Sequence, residues 1–85
     1  MTVFVKVMPK SGVLDPQGKA IADALHRLGY RTVEDVRAGK IFKIDVATAD
    51  PTAAGDAARR MAETLLANPV IEEYEVEVAP AEVGR

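Results

Sequence analysis

His26, Ser11, the carboxylates Glu72, Glu73, Glu75 and Glu77, and the cations Arg37, Lys40 and Lys43 are the side chains of this sequence that could do chemistry. A catalytic centre needs a nucleophile, an acid–base pair or a metal. Ser11 is the only serine, and no histidine stands near it in sequence. His26 is the only histidine and flanks an apolar helical stripe, a position that suits packing better than proton transfer. Strand alternation would put Glu73, Glu75 and Glu77 on one face and Glu72 on the other. That is a solvated strand face, not an acid–base pair. Arg37, Lys40 and Lys43 could dock an anion or an acidic partner, or simply line a solvated strand. The run Gly12-Val13-Leu14-Asp15-Pro16-Gln17-Gly18-Lys19-Ala20 is dense in residues chosen for backbone geometry. It lacks both the Gly-Lys-Ser/Thr end of a phosphate loop and the GxGxxG spacing, so it specifies a shape and no reaction.

The elements that must carry these residues follow from local patterning. Val3, Val5 and Val7 alternate with Thr2, Phe4, Lys6 and Met8, a period-two strand closed by Pro9-Lys10-Ser11-Gly12. Asp15 and Pro16 then open a helix, with the carboxylate capping a free backbone N–H and the proline in the first turn. Ala20, Ile21, Ala24, Leu25 and Leu28 form its apolar stripe, and Gly29 is its left-handed stop. Residues 32–47 are rich in strand formers and are expected either as one long strand bent near Gly39 or as a hairpin turning at Ala38-Gly39-Lys40. Asp50-Pro51 repeats the helix-start grammar. Ala54, Ala57, Ala58, Met61, Leu65 and Leu66 face inward on the second helix, which Asn68 ends as a left-handed cap before Pro69. Tyr74, Val76 and Val78 alternate with the glutamates in a last, edge or near-edge strand. The order βαβαβ, or βαββαβ with the hairpin, predicts an α+β two-layer sandwich related to the ferredoxin-like plan. Its antiparallel sheet carries both helices on one face. One domain over 1–78 and a C-terminal tail over 79–85 account for the chain.

Composition narrows the class. The 85 residues include no cysteine, which removes disulfides and thiolate metal sites and suits a reducing cytoplasm. A domain this small buries only about 60–65% of its unfolded surface and usually needs outside help. Association with itself or with another chain is the remaining helper, and exposed Phe4, Met8 and Ile41 on the open sheet face point the same way. A net charge of −2 and a pI near 5.3 argue against nucleic acid as partner. The apolar runs are too short to span a bilayer, and no secretory signal precedes the first strand.

Three segments considered together carry a resemblance. They are residues 12–20; Leu28-Gly29-Tyr30 with Val33-Glu34-Asp35-Val36-Arg37-Ala38-Gly39-Lys40; and Leu65-Leu66-Ala67-Asn68-Pro69-Val70-Ile71-Glu72-Glu73-Tyr74. In order and spacing they resemble PurS, the small-subunit family of phosphoribosylformylglycinamidine synthase, from the first strand to about Val78. The resemblance implies a part in de novo purine biosynthesis. There a complex converts formylglycinamide ribonucleotide, glutamine and ATP to formylglycinamidine ribonucleotide, glutamate, ADP and phosphate. It implies a glutaminase subunit with a cysteine nucleophile, and a large synthetase subunit that uses ATP and magnesium. The small subunit bridges the two, supports ammonia transfer, binds no cofactor of its own and associates as a dimer or tetramer.

Within that frame, the turn at 12–18 and the segment 37–43 are the expected partner-facing surface. The candidate contacts are Asp15, Gln17, Lys19, Arg37, Lys40 and Lys43, and no residue is assigned to catalysis. Two other readings of the pattern are an ACT-like regulatory module that binds a small ligand at a dimer interface and a structural homo-oligomer with no enzyme partner.

Overall fold

The computed structural model describes residues 1–79; residues 80–85, most of the expected tail, lie outside the described residues. Three strands, β1 (Thr2–Pro9), β2 (Lys40–Asp45) and β3 (Glu72–Val78), form an antiparallel sheet in the order β2-β1-β3. The helices α1 (Pro16–Arg27) and α2 (Pro51–Met61) complete a βαβαβ chain. Placing β1 in the centre explains its valines: Val3, Val5 and Val7 are fully buried. Register puts Val3 opposite Ile44 and Val78, and Val5 opposite Phe42 and Val76. Phe42, Ile44, Tyr74, Val76 and Val78 therefore share the valine face. The other face carries Phe4, Lys6 and Met8, with Lys6 3.9 Å from both Glu75 and Glu77. As expected, β3 is an edge strand.

Both helix starts follow the sequence grammar. Asp15 caps α1, its carboxylate accepting from the Gly18 N–H at 3.0 Å. Asp50 caps α2, accepting from the Thr52 N–H at 3.0 Å. Gly29, with φ of 102°, ends α1 in the left-handed region as expected.

The core is small. α2 lies across β1 and β3, and Ala54, Ala58, Ala62 and Ala67 join the three valines as its buried members. With alanine methyl groups on its inner side, α2 can settle close to the sheet; a Cβ on Gly55 would stand 3.4 Å from a Val78 methyl, an ordinary van der Waals contact.

Four expectations change. Residues 32–47 form neither a long bent strand nor a hairpin. Only Lys40–Asp45 is a strand, and residues 33–39 run without regular structure. The reason lies in what this segment touches. A Cβ on Gly39 would run into the Val7 carbonyl and the Met8 sulfur, and the backbone around it is held by side chains in place of a ladder. The α1 stripe is not core: Ile21 and Leu28 are exposed, Ala20 is exposed, and Ala24 and Leu25 are only half-buried. One helix, α2, covers the valine face of this chain, where two were expected to pack.

The inward face of α2 also shifts. The helix passes into a π-helical turn, Ala62–Leu66, closed by the Ala67 N–H donating to the Ala62 carbonyl at 2.9 Å. A π turn adds a residue to the helical period and rotates the residues beyond it. Ala62 continues the buried row of Ala54 and Ala58 at four-residue steps, with Met61 exposed beside it; across the π turn Ala67 takes the next inward place, and Leu65 is 82% exposed. Finally, Asn68 does not adopt the left-handed cap, since no non-glycine residue among those described has positive φ. Its side chain instead accepts from the Val70 N–H at 3.0 Å, and its own N–H donates to the Glu72 carboxylate at 2.7 Å. This turn feeds the chain into β3.

Candidate partner interface

The six candidate contact residues fall into two groups with different work. Asp15 and Arg37 are engaged within the chain. The Asp15 carboxylate accepts from the Gly18 N–H through one oxygen and from the Ala38 N–H at 2.8 Å through the other. These backbone donors, Ala38 first and then Gly18, hold its carboxyl below the ordinary range; desolvation opposes them, and the Arg37 charge assists. Arg37 donates to the Lys10 carbonyl at 2.7 Å and the Val13 carbonyl at 3.1 Å. Gly18 is buried against Val36, whose carbonyl would collide with any Cβ there. Asp15, Gly18 and Arg37 thus buckle three pieces of chain together: the turn after β1, the N-terminus of α1 and the irregular segment before β2. The unusual density of special residues at 12–18 is explained by this buckle.

Gln17, Lys19, Lys40 and Lys43 are exposed. Lys19 sits 3.9 Å from Asp23, one helical turn along. Lys40 lies over the Phe42 ring at 5.9 Å from its centroid. Lys43 is opposite Phe4 on the open face of the sheet. Since alternate strand residues point to opposite faces, Lys40 and Lys43 do not form one patch. With Arg37 turned into the buckle, the basic group read from sequence is divided among three environments.

His26 is likewise engaged: its Nε2 lies 2.7 Å from the Val33 carbonyl, tying the end of α1 to the chain that returns from it. That contact requires the tautomer with the proton on Nε2. An open groove of about 350 Å³ separates α1 from residues 34–37, with Asp15, Asp23, His26, Asp35 and Arg37 among its walls. A second, of about 270 Å³, lies between Lys10, Glu63 and Tyr74. Burial and the neighbouring Glu63 carboxylate push the Tyr74 phenol up from its ordinary value. Among the described residues, no group of three or more His, Asp or Glu side chains could hold a metal ion.

Sequence reasoning missed the surface that the fold leaves apolar. Leu14 is 77% exposed and Leu28 73%, with Tyr30 and Ile21 beside them in the α1 region. Leu65 in the π turn and Val70 in the loop that follows are also exposed. The available signal was quantitative: a chain of this length has little core to give to two helices, and the alanines of α2 fit the sheet more closely than α1 can.

Comparison with known proteins places the whole arrangement. Residues 2–80 match the family model described as PurS, phosphoribosylformylglycinamidine (FGAM) synthase. The chain is 46% identical over 72 residues to the phosphoribosylformylglycinamidine synthase subunit PurS of Mycobacterium leprae, covering 85% of this chain and 87% of that one. The crystal structure of PurS from Methanocaldococcus jannaschii superposes with a TM-score of 0.83 at 34% identity, covering 95% of this chain and 98% of that one. A chain in the structure of PurLQS from Thermotoga maritima superposes with a TM-score of 0.82 at 32% identity, covering 92% and 95% respectively. With the family model spanning nearly its full length and relatives well above the level at which fold alone is shared, this chain belongs to the PurS family of phosphoribosylformylglycinamidine synthase.

Proposed function

We propose that this chain is the small bridging subunit of an FGAM synthase complex in purine biosynthesis. It docks a glutaminase to a large synthetase, so that ammonia released from glutamine reaches the ATP- and magnesium-dependent site of the synthetase. It supplies shape, and the reacting groups belong to its partners. It acts as a homo-oligomer, in the cytoplasm where the soluble substrates of the reaction are found. The observation that carries this reading is the end-to-end match to a chain of the Thermotoga maritima PurLQS structure.

The chemistry of the described residues supports the same division of labour. Two of the side chains that could do chemistry are committed to the fold: Asp15 to two backbone N–H groups, and His26 to a carbonyl. A rigid bridge raises flux by proximity, since ammonia set free in water is protonated and diluted before a distant site can use it. No helix among the described residues is long and apolar enough to cross a membrane.

The test is reconstitution with the glutaminase and synthetase of the same organism. Omitting this chain should abolish glutamine-dependent FGAM formation while turnover on added ammonium salt persists. Equal glutamine-dependent rates with and without it would overturn the reading. In the reconstituted complex, Lys40→Glu with Lys43→Glu should lower the glutamine-dependent rate at unchanged ammonia-dependent rate if these exposed cations face a partner. An unaltered rate removes them from the interface.

A further inference from the structure

We propose that Met8 is an oxidation site, and that its sulfoxide unfastens the segment 33–39 from β1. The chain has three methionines and no cysteine, so a peroxide spends itself on methionine. The Met8 sulfur takes one oxygen from hydrogen peroxide: the O–O bond breaks and an S–O bond forms. The departing hydroxide takes the proton of the transferred oxygen and leaves as water. The thioether is oxidised by two electrons and the peroxide is reduced by two. Thiol-dependent reduction returns the thioether. This chemistry is separate from the docking role.

Met8 lies near the end of the central strand on its open face and is 37% exposed. It borders two open grooves. One, of about 310 Å³, it shares with Ser11, Asp35 and Arg37; the other, of about 340 Å³, with Lys6 and Tyr74. Glu73, directly across from Met8 in the β1–β3 register, lines both. A small oxidant therefore reaches the side chain from water. On its other side the sulfur is pressed against Gly39, where a Cβ would collide with it and with the Val7 carbonyl. Gly39 is a junction. The preceding Ala38 N–H is held by Asp15, and the following Lys40 opens β2 opposite Val7. The Met8 thioether is thus a clasp at the point where the irregular segment becomes a strand.

Oxidation replaces a flexible apolar group by a polar one. The sulfoxide oxygen is a hydrogen-bond acceptor with negative partial charge. On the Gly39 side it meets backbone at contact distance and the Val7 carbonyl oxygen, another acceptor. Across the strand it meets the Glu73 carboxylate. The cationic donors beside it, Arg37 in one groove and Lys6 in the other, lie on the solvent side. Turning the oxygen to either of them carries the sulfur off Gly39 and opens the clasp. Met61 is the contrast: on α2 and 36% exposed, it has the same access to solvent but no part in this segment.

The test treats the full-length protein with hydrogen peroxide, locates the sulfoxides by peptide mass spectrometry and follows amide exchange at residues 38–40. Met8 and Met61 should oxidise at similar rates, as their matched exposure requires. In Met61→Leu, oxidation should quicken exchange at 38–40 roughly fivefold, the scale of one lost packing contact. Methionine sulfoxide reductase should restore the slow exchange. In Met8→Leu, a swap of similar volume, the same treatment should leave exchange at 38–40 unchanged. Met8→Gln, polar without any oxidant, should exchange quickly there before peroxide is added. A Met8 thioether that survives while Met61 is oxidised would overturn the inference. So would a Met8 sulfoxide with unchanged exchange at 38–40, or an equal quickening in oxidised Met8→Leu.

Discussion

α1 and α2 begin with the same two residues, aspartate and proline, and each carries an apolar stripe, yet the chain buries one and leaves the other open. The difference lies in side-chain size and in what precedes each helix. α2 meets the sheet through Ala54, Gly55, Ala58 and Ala62, so its axis can come close to the valines of β1. α1 is held at its first turn by a carboxylate, a buried glycine and a neighbouring arginine. Its larger residues stay outside the core, Ile21 and Leu28 exposed and Leu25 half-buried. An identical start signal therefore says where a helix begins and nothing about which layer it joins.

The largest expected effect tests the buried helix. Ala58→Asp places an unpaired carboxylate in the fully buried valine–alanine layer and should cost about 3 kcal/mol or more. Urea unfolding should show the loss directly. The corresponding Ala24→Asp on α1 should leave the fold of the chain far less affected. Similar destabilisation by both would erase the contrast between the helices.

Next comes Gly18→Ala. The new methyl collides with the Val36 carbonyl, and an overpacked contact of this kind costs about 1–3 kcal/mol. Gly12→Ala, where no atom lies within 4 Å of the added methyl, is the control for backbone strain alone, because Gly12 has φ of 86°. Amide exchange should quicken at Ala38 in the Gly18 variant if the buckle opens.

Asp15→Asn should lower stability by less than Gly18→Ala, because asparagine can still cap α1 but loses the charge that strengthens the bonds from Gly18 and Ala38. Its pH dependence is specific. The Asp15 carboxyl is lowered in the folded chain, so its contribution is present above the unfolded value near 3.8 and is lost as pH falls through the folded value. Stability measured between pH 6 and pH 2 should therefore fall less steeply in Asp15→Asn than in the parent chain. Parallel curves would show that the carboxylate does not discriminate the folded state.

The smallest effect is at Lys6. Its two glutamate partners lie 3.9 Å away and are well exposed, so Lys6→Ala should change stability by less than about 0.5 kcal/mol. A larger loss would mean that the open face is ordered by more than these pairs.

Much of the fold was legible. The valine alternation located β1, the Asp-Pro pairs located both helix starts, Gly29 marked the stop of α1, and the glutamate alternation located β3. Residues 33–39 were not legible because their β-forming composition competes with contacts made far away in sequence: Asp15 takes the Ala38 N–H, and Gly39 is pressed against β1. The π turn was hidden for a similar reason. The 3.6-residue period assigned Leu65 to the inner face, and one extra residue in the turn put it outside. Of the candidate contacts, the types of Asp15 and Arg37 were informative, but their engagement with backbone groups depended on segments meeting in space.

The sequence by itself determined where elements start and stop, which strand faces are apolar, and the family to which the chain is similar, because caps, proline, glycine and alternation act over a few residues. Tertiary structure alone decided which apolar stripe becomes core, where the charged residues of 12–43 are spent, and what surface remains for a second chain. Those outcomes turn on whether one element can approach another closely enough to exclude water, and that depends on side chains and backbone groups brought together from distant parts of the chain.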